Sequence, residues 1–168
     1  MKNLNIFTLL LITGISMICV SCINLFPTVG NGNLITSEKT VSSFEKINIS
    51  GSAEVRFHAS QEYRTVITVD SNLIEYTEII TRGNTLNIGT KNGNYSFTKY
   101  LVDVYCPIVT GVSVSGSGLF TCNDTITTST FDSNISGSGK FNYRDDPRIN
   151  SRVRGSGQIN NIEIKLQK

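Results

Sequence analysis

Val114-Ser-Gly-Ser-Gly-Leu-Phe120 is one of four seven-residue segments in this chain that align without gaps. The others are Ile49-Ser-Gly-Ser-Ala-Glu-Val55, Ile135-Ser-Gly-Ser-Gly-Lys-Phe141 and Val153-Arg-Gly-Ser-Gly-Gln-Ile159. All four share a central Gly-Ser pair, with glycines at Gly51, Gly116, Gly137 and Gly155, and an apolar residue on either side. A repeat that cannot bury its own apolar face is stable only when neighbouring copies cover it, which is the logic of a solenoid. The segments therefore predict an all-β fold, a short parallel β-helix or β-solenoid, with one motif per coil and less regular N-terminal coils. The apolar flanks would stack inward, and Gly118, Gly139 and Gly157 would narrow the interior. Ser117, Ser138 and Ser156 would form an outward hydroxyl ladder. A β-sandwich with Gly-Ser hairpins is the competing architecture, but antiparallel neighbours do not superimpose like positions.

Working outward, the same period of two recurs. Ile47, Ile49, Val55 and Phe57 alternate around Gly51, and Val66-Ile-Thr-Val69, Leu86-Asn-Ile88, Tyr95-Ser-Phe97 and Val102-Asp-Val104 read as strands. Asp70-Ser-Asn72, Arg82-Gly-Asn84 and Lys91-Asn-Gly-Asn94 are turn signals between them. Leu73 to Ile80 fits either a short helix or a strand. The central glycines are spaced by 65, 21 and 18 residues. The first interval is close to three of the later ones, which predicts further degenerate coils in the middle of the chain.

Composition narrows the function classes. The 168 residues carry 15 Lys and Arg against 13 Asp and Glu, a formal net charge of +2, and a single histidine. So small a charge offers no counterion-release term for nucleic acid, and one histidine forbids a multi-histidine metal centre within the chain. Ser, Thr and Asn number 19, 18 and 17, so the surface is covered mainly by neutral polar groups.

The N-terminus reads as an address. Lys2 precedes a mostly apolar run, Ile6 to Val20, which ends in Val20-Ser-Cys22. This is the order of a secretory signal, and the run is shorter than the roughly 20 residues that span a bilayer. A small residue followed by Cys22 resembles a bacterial lipobox, although Cys19 stands where an aliphatic residue is commoner. The resemblance implies a signal peptide over residues 1–21, cleavage before Cys22, and lipidation of Cys22 with acyl chains such as palmitate. Residues 22–40, with Pro27, Gly30 and Gly32, read as a linker, with room for one short strand, and residues 41–168 as the folded head.

Few residues invite catalysis. His58 has no second histidine and reads as a surface residue, and Gly116-Ser-Gly118 and its relatives lie inside strand repeats instead of at the strand-to-helix elbow of a serine nucleophile. Asp124, Asp132, Asp145 and Asp146 raise the possibility of a carbohydrate-active enzyme, but Asp145-Asp146 beside Arg144 and Arg148 reads more simply as a solvated turn before Pro147. The repeats lack the aspartate of calcium-binding solenoids, so no metal and no cofactor is expected. Cys106 and Cys122 fall on inward parity, as a disulfide between adjacent coils or as buried free thiols.

Phe44-Glu-Lys-Ile-Asn-Ile-Ser-Gly51, Asp70-Ser-Asn-Leu-Ile-Glu-Tyr76, Thr85-Leu-Asn-Ile88 and the recurring Ser-Gly-Ser-Gly resemble the auto-transporter adhesin head domain, also called the GIN domain, of Bacteroidetes-type bacteria. The resemblance covers residues 40–168. It implies a right-handed parallel β-helix behind a lipoprotein signal in the cell envelope, and it supplies no catalytic residues. Arg154 stands where the other copies have serine, and the chain stops soon after the fourth copy. The reading is thus a non-enzymatic domain, lipid-anchored in the envelope, most simply at the outer membrane, that adheres to or binds a glycan, matrix or envelope protein. A self-associating structural protein and, last, a carbohydrate-active enzyme are the alternatives. Whether the domain faces the surface or the periplasm is open.

Overall fold

The four repeat segments are register partners in the computed structural model, which describes residues 26–122, 124, 128, 130–144 and 149–161. In chain order the strands are β1 (Thr28–Val29), β2 (Leu34–Thr40), β3 (Lys46–Gly51), β4 (Glu54–Ala59), β5 (Arg64–Asp70), β6 (Thr77–Arg82), β7 (Thr85–Thr90) and β8 (Tyr95–Ser96). They continue as β9 (Tyr100–Cys106), β10 (Gly111–Gly116), β11 (Leu119–Cys122), β12 (Phe131–Gly137), β13 (Lys140–Tyr143), β14 (Ile149–Gly155) and β15 (Gln158–Asn161). Sheet 1 has the order β14-β12-β10-β3-β7-β6 and sheet 2 the order β15-β13-β11-β4-β9-β5-β2. The Gly-Ser pair of each repeat is the corner where the chain leaves sheet 1 for sheet 2.

Parallel pairing puts like on like. Gly51, Gly116, Gly137 and Gly155 face one another across β3, β10, β12 and β14, and so do Ile49, Val114, Ile135 and Val153. In sheet 2, Val55, Phe120, Phe141 and Ile159 align across β4, β11, β13 and β15. Because alternate side chains point to one face, these rows meet between the sheets in one core, with Ile159 partly buried at its end and Val153 exposed beyond it. Phe120, Phe131 and Phe141 are buried there, with Phe141 5.5 Å from Phe120 and 5.4 Å from Phe131 between ring centroids.

The glycines do two jobs. At Gly116 φ is +106°, a region other residues rarely adopt, and a Cβ there would lie 2.8 Å from the Gly51 carbonyl oxygen. Gly118 narrows the core as expected, since a Cβ would lie 2.8 Å from Ile49 Cγ2. Ala53 holds the same place in the first copy and is fully buried. Ser52, Ser117, Ser138 and Ser156 are all exposed at the corners.

Two expectations need correction. The strand pairs do not stack in chain order: β3 and β4 lie between β7/β9 on one side and β10/β11 on the other. The 65-residue interval therefore holds no string of degenerate coils. It holds β7 and β9, which run parallel to β3 and β4, and most of an antiparallel flank: β6 against β7 and β5 against β9, with β2, from before the interval, against β5. Alternation has the same period in parallel and antiparallel strands, so the pattern alone could not distinguish them. The ambiguous Leu73–Ile80 stretch divides into a 3₁₀ turn over Ile74–Tyr76 and the start of β6.

The stretch read as a linker contributes β1 and β2 to the fold from Thr28 onward. Its anchor is Asp70, a buried carboxylate. The backbone N–H groups of Gly32 and Thr98 donate to it, each at 2.8 Å, and that of Lys99 at 3.4 Å. Burial pushes this carboxyl upward, but the amide donors more than offset it and hold it below the ordinary carboxylate range. Among the described residues no helix is long and apolar enough to cross a membrane.

Candidate functional site

The outer face of sheet 1 carries an unbroken polar row. Asn87, Asn48, Ser113, Asn134 and Arg152 are aligned across β7, β3, β10, β12 and β14. Four steps of about 4.8 Å give the row a span of about 19 Å. Beside it run Ser50, Ser115, Ser136 and Arg154. Asn48 Nδ2 donates to Asn87 Oδ1 at 3.0 Å, and Asn87 Nδ2 to the Thr85 carbonyl at 3.2 Å, so the side chains at this end are oriented before any ligand arrives.

Each end of the row opens into a shallow groove. The first, about 250 Å³, is lined by Asn48, Ser50, Asn87 and the strand β6 residues Glu78, Ile80 and Arg82. Glu78 and Arg82 pair at 3.6 Å. Gly89 forms its floor, and the buried Tyr100 hydroxyl donates to the Gly89 carbonyl at 2.5 Å, tying the floor to sheet 2. The second, about 340 Å³, is lined by Asp132, Asn134, Asn150 and Arg152 with Ser133 and Ser151. Amide and hydroxyl groups both donate and accept, so the row suits a ligand rich in neutral hydroxyls or amides. It does not suit glycoside hydrolysis. Glu78 and Asp132 stand on strands four steps apart, about 19 Å, whereas the two carboxyls of a glycosidase lie within roughly 10 Å.

Sheet 2 presents a different cluster on its outer face. His58, Tyr105 and Arg64 are register neighbours on β4, β9 and β5. The His58 ring stacks on Tyr105 at 4.7 Å, and the Arg64 guanidinium lies 3.7 Å from the same ring's centroid. Asp103 Oδ1 is 2.9 Å from His58 Nε2 and 3.6 Å from Arg56 Nε, while Glu38 and Glu62 approach Arg64 at 3.6 and 3.8 Å. The sequence singled out His58 but not Asp103 or Tyr105. Their alternation with the inward Val102 and Val104 marks them as outward, yet only the pairing of β4 with β9 brings them to His58. Among the described residues the ring has a carboxylate partner and no hydroxyl or thiol nucleophile in its hydrogen bonds. Tyr105 is stacked between two neighbours, so the group braces the sheet.

The remaining candidates separate. Cys106 and Cys122 are buried free thiols, and β4 lies between their strands β9 and β11, which corrects the expectation that their coils adjoin. Their sulfurs approach different carbonyls, those of Ile108 and Asp124. Burial pushes both thiols up to about 12. Asp124 accepts from the Ala59 N–H at 2.8 Å, and Asp132 is exposed at the second groove. Cys22, Asp145, Asp146, Pro147 and Arg148 lie outside the described residues. Among the described residues no three His, Cys, Asp or Glu side chains gather as a metal site.

Solved structures share this architecture. A crystal structure of a "Putative lipid binding protein" from Parabacteroides distasonis superposes with a TM-score of 0.67 at 25% identity, over 80% of this chain and 60% of that one. A "putative adhesin" from the same species gives 0.65 at 23% identity, over 80% and 67%. A "putative adhesin" from Parabacteroides merdae gives 0.55 at 15% identity, over 81% and 99%. The chain thus spans about 60% of the length of the first of these relatives. No curated protein matches it. The model of one family, described as "Putative auto-transporter adhesin, head GIN domain", matches residues 43–163, a range that contains β3 to β15. The chain belongs to that family.

Proposed function

We propose that this chain is a non-enzymatic adhesion domain of the bacterial cell envelope, which binds an extended neutral polymer along the outer face of sheet 1. The observation that carries the reading is the in-register row from Asn87 to Arg152. A periodic set of amides and hydroxyls matches a chain of hydroxylated repeats such as a glycan, and many weak contacts along a face sum. In this reading residues 1–21 are a signal peptide, Cys22 is lipidated at the outer membrane, and the strands wind as a short right-handed parallel β-solenoid. The adhesin descriptions of the two Parabacteroides relatives support it. The test is a glycan and matrix array probed with the wild type and with Asn48→Ala/Asn134→Ala. Binding that falls at least tenfold in the variant is expected; an array left blank by the wild type sinks the reading.

A second reading is self-association through the far end. Val153 is 42% exposed on β14, which has no sheet neighbour beyond it among the described residues. Assembly that rises with concentration in sedimentation velocity, and that Val153→Lys abolishes, would favour it. A monomer at every concentration would reject it.

A further inference from the structure

Five large apolar side chains stand exposed among the described residues, and three of them fall between positions 26 and 34. Phe26 is 86% exposed, Val29 62% and Leu34 42%. They do not sit on a loose tail. β1 pairs with β8 and β2 with β5, the Asn31 N–H donates to Asn72 Oδ1 at 3.0 Å, and Asn72 Nδ2 donates to the Val29 carbonyl at 2.9 Å. With Gly32 held by Asp70, the three side chains belong to one firm end of the domain. It is the end closed by the antiparallel strands, opposite β14 and β15.

We infer that this end rests on a lipid bilayer, with Phe26, Val29 and Leu34 set into its interfacial layer. The inference rests on lipidation of Cys22. From Cys22 to Phe26 are four residues, which reach about 14 Å at full extension. The intervening Ile23, Asn24 and Leu25 carry no charge and two are apolar, so the stem itself favours the interface. Phe26, exposed and within that reach of an acyl anchor, has the acyl boundary as its nearest apolar surface, and Val29 and Leu34 stand exposed on the strands that follow it. Seated this way, the sheets stack away from the membrane, β14 and β15 are farthest from it, and the polar row of sheet 1 rises from the bilayer instead of lying along it.

The chain has no tryptophan, so a single introduced indole reports its own surroundings. Phe26→Trp, Leu34→Trp and Gln158→Trp, each in the lipidated full chain, are reconstituted into phosphatidylethanolamine/phosphatidylglycerol vesicles with and without brominated acyl chains. Both near-end indoles are expected to lose at least half their emission to bromine, and the Gln158→Trp indole to lose none. Leu34 lies twelve residues from Cys22 and is held by β2, so its quenching cannot come from the stem alone. Protein that floats with the vesicles while Leu34→Trp is quenched no more than Gln158→Trp overturns the seating and leaves the anchor standing. Protein that fails to float overturns the anchor, and the seating with it.

Discussion

Gly116 lies against Gly51 so closely that a methyl group on Gly116 would sit 2.8 Å from the Gly51 carbonyl oxygen and 3.2 Å from its nitrogen and Cα. The obstacle is backbone, which has no rotamer to yield. The same relationship repeats from Gly137 to Gly116 and from Gly155 to Gly137, so one contact geometry sets the approach of four strands.

Gly137→Ala should therefore lower stability by about 3 kcal/mol or more, combining a strained positive φ with a clash that pushes neighbouring strands apart. Gly32→Ala is the control: its φ is +74° but nothing lies within 4 Å of the added methyl, and a cost of about 1 kcal/mol is expected. Urea unfolding of the two variants measures the difference.

The core should be as sensitive at Phe141, which is fully buried and touches the rings of Phe120, Phe131 and Tyr143. Phe141→Ala should cost about 3–5 kcal/mol, and Phe141→Leu distinctly less. Thermal and urea midpoints report both.

Asp70 makes the N-terminal strands acid-sensitive. Its carboxyl is held below the ordinary range in the folded chain, so its contribution is fully present above the unfolded value, about 3.9, and is lost as pH falls through the lower folded value. Amide exchange at Gly32 and Thr98 should accelerate in that acid window before the core opens. Asp70→Asn should show fast exchange at Gly32 and Thr98 already at neutral pH, with little further change on acidification.

Cys106 and Cys122, with thiols pushed up to about 12, should stay protonated and unreactive toward iodoacetamide in the folded domain at pH 8. Both should be labelled at once in denaturant. Intact mass without reductant should equal that of the dithiol; a loss of two hydrogens would contradict the separation of their strands.

Much of this arrangement could be read from residues alone, for one reason: parallel in-register strands place like beside like, so the stacking leaves a visible repeat. The glycines, the inward Ile49, Val114 and Ile135 and the outward serines followed from it. The neighbour on the other side of β3 did not, because Leu86-Asn87-Ile88 pairs there without a glycine corner to mark it. The fixing of residues 28–40 was hidden too, since it depends on amides converging on Asp70 from segments far apart in the chain. The polar row was half legible. Parity puts Asn48, Ser113 and Asn134 outside, but only register puts them in line with Asn87. The bracing of His58 by Asp103 and Tyr105 needed the β4–β9 pairing for the same cause.

The antiparallel strands on one flank give the molecule a direction of growth. β6 closes one side of sheet 1, and β5 with β2 closes the same side of sheet 2. A duplicated segment of 18 to 21 residues could not be added there without breaking a hairpin, whereas beyond β14 and β15 it would meet a surface of its own kind. Length in such a domain is therefore adjusted from one end, like a rule graduated in strand widths. Each added mark would carry the polar row farther out while the closed base stayed unchanged.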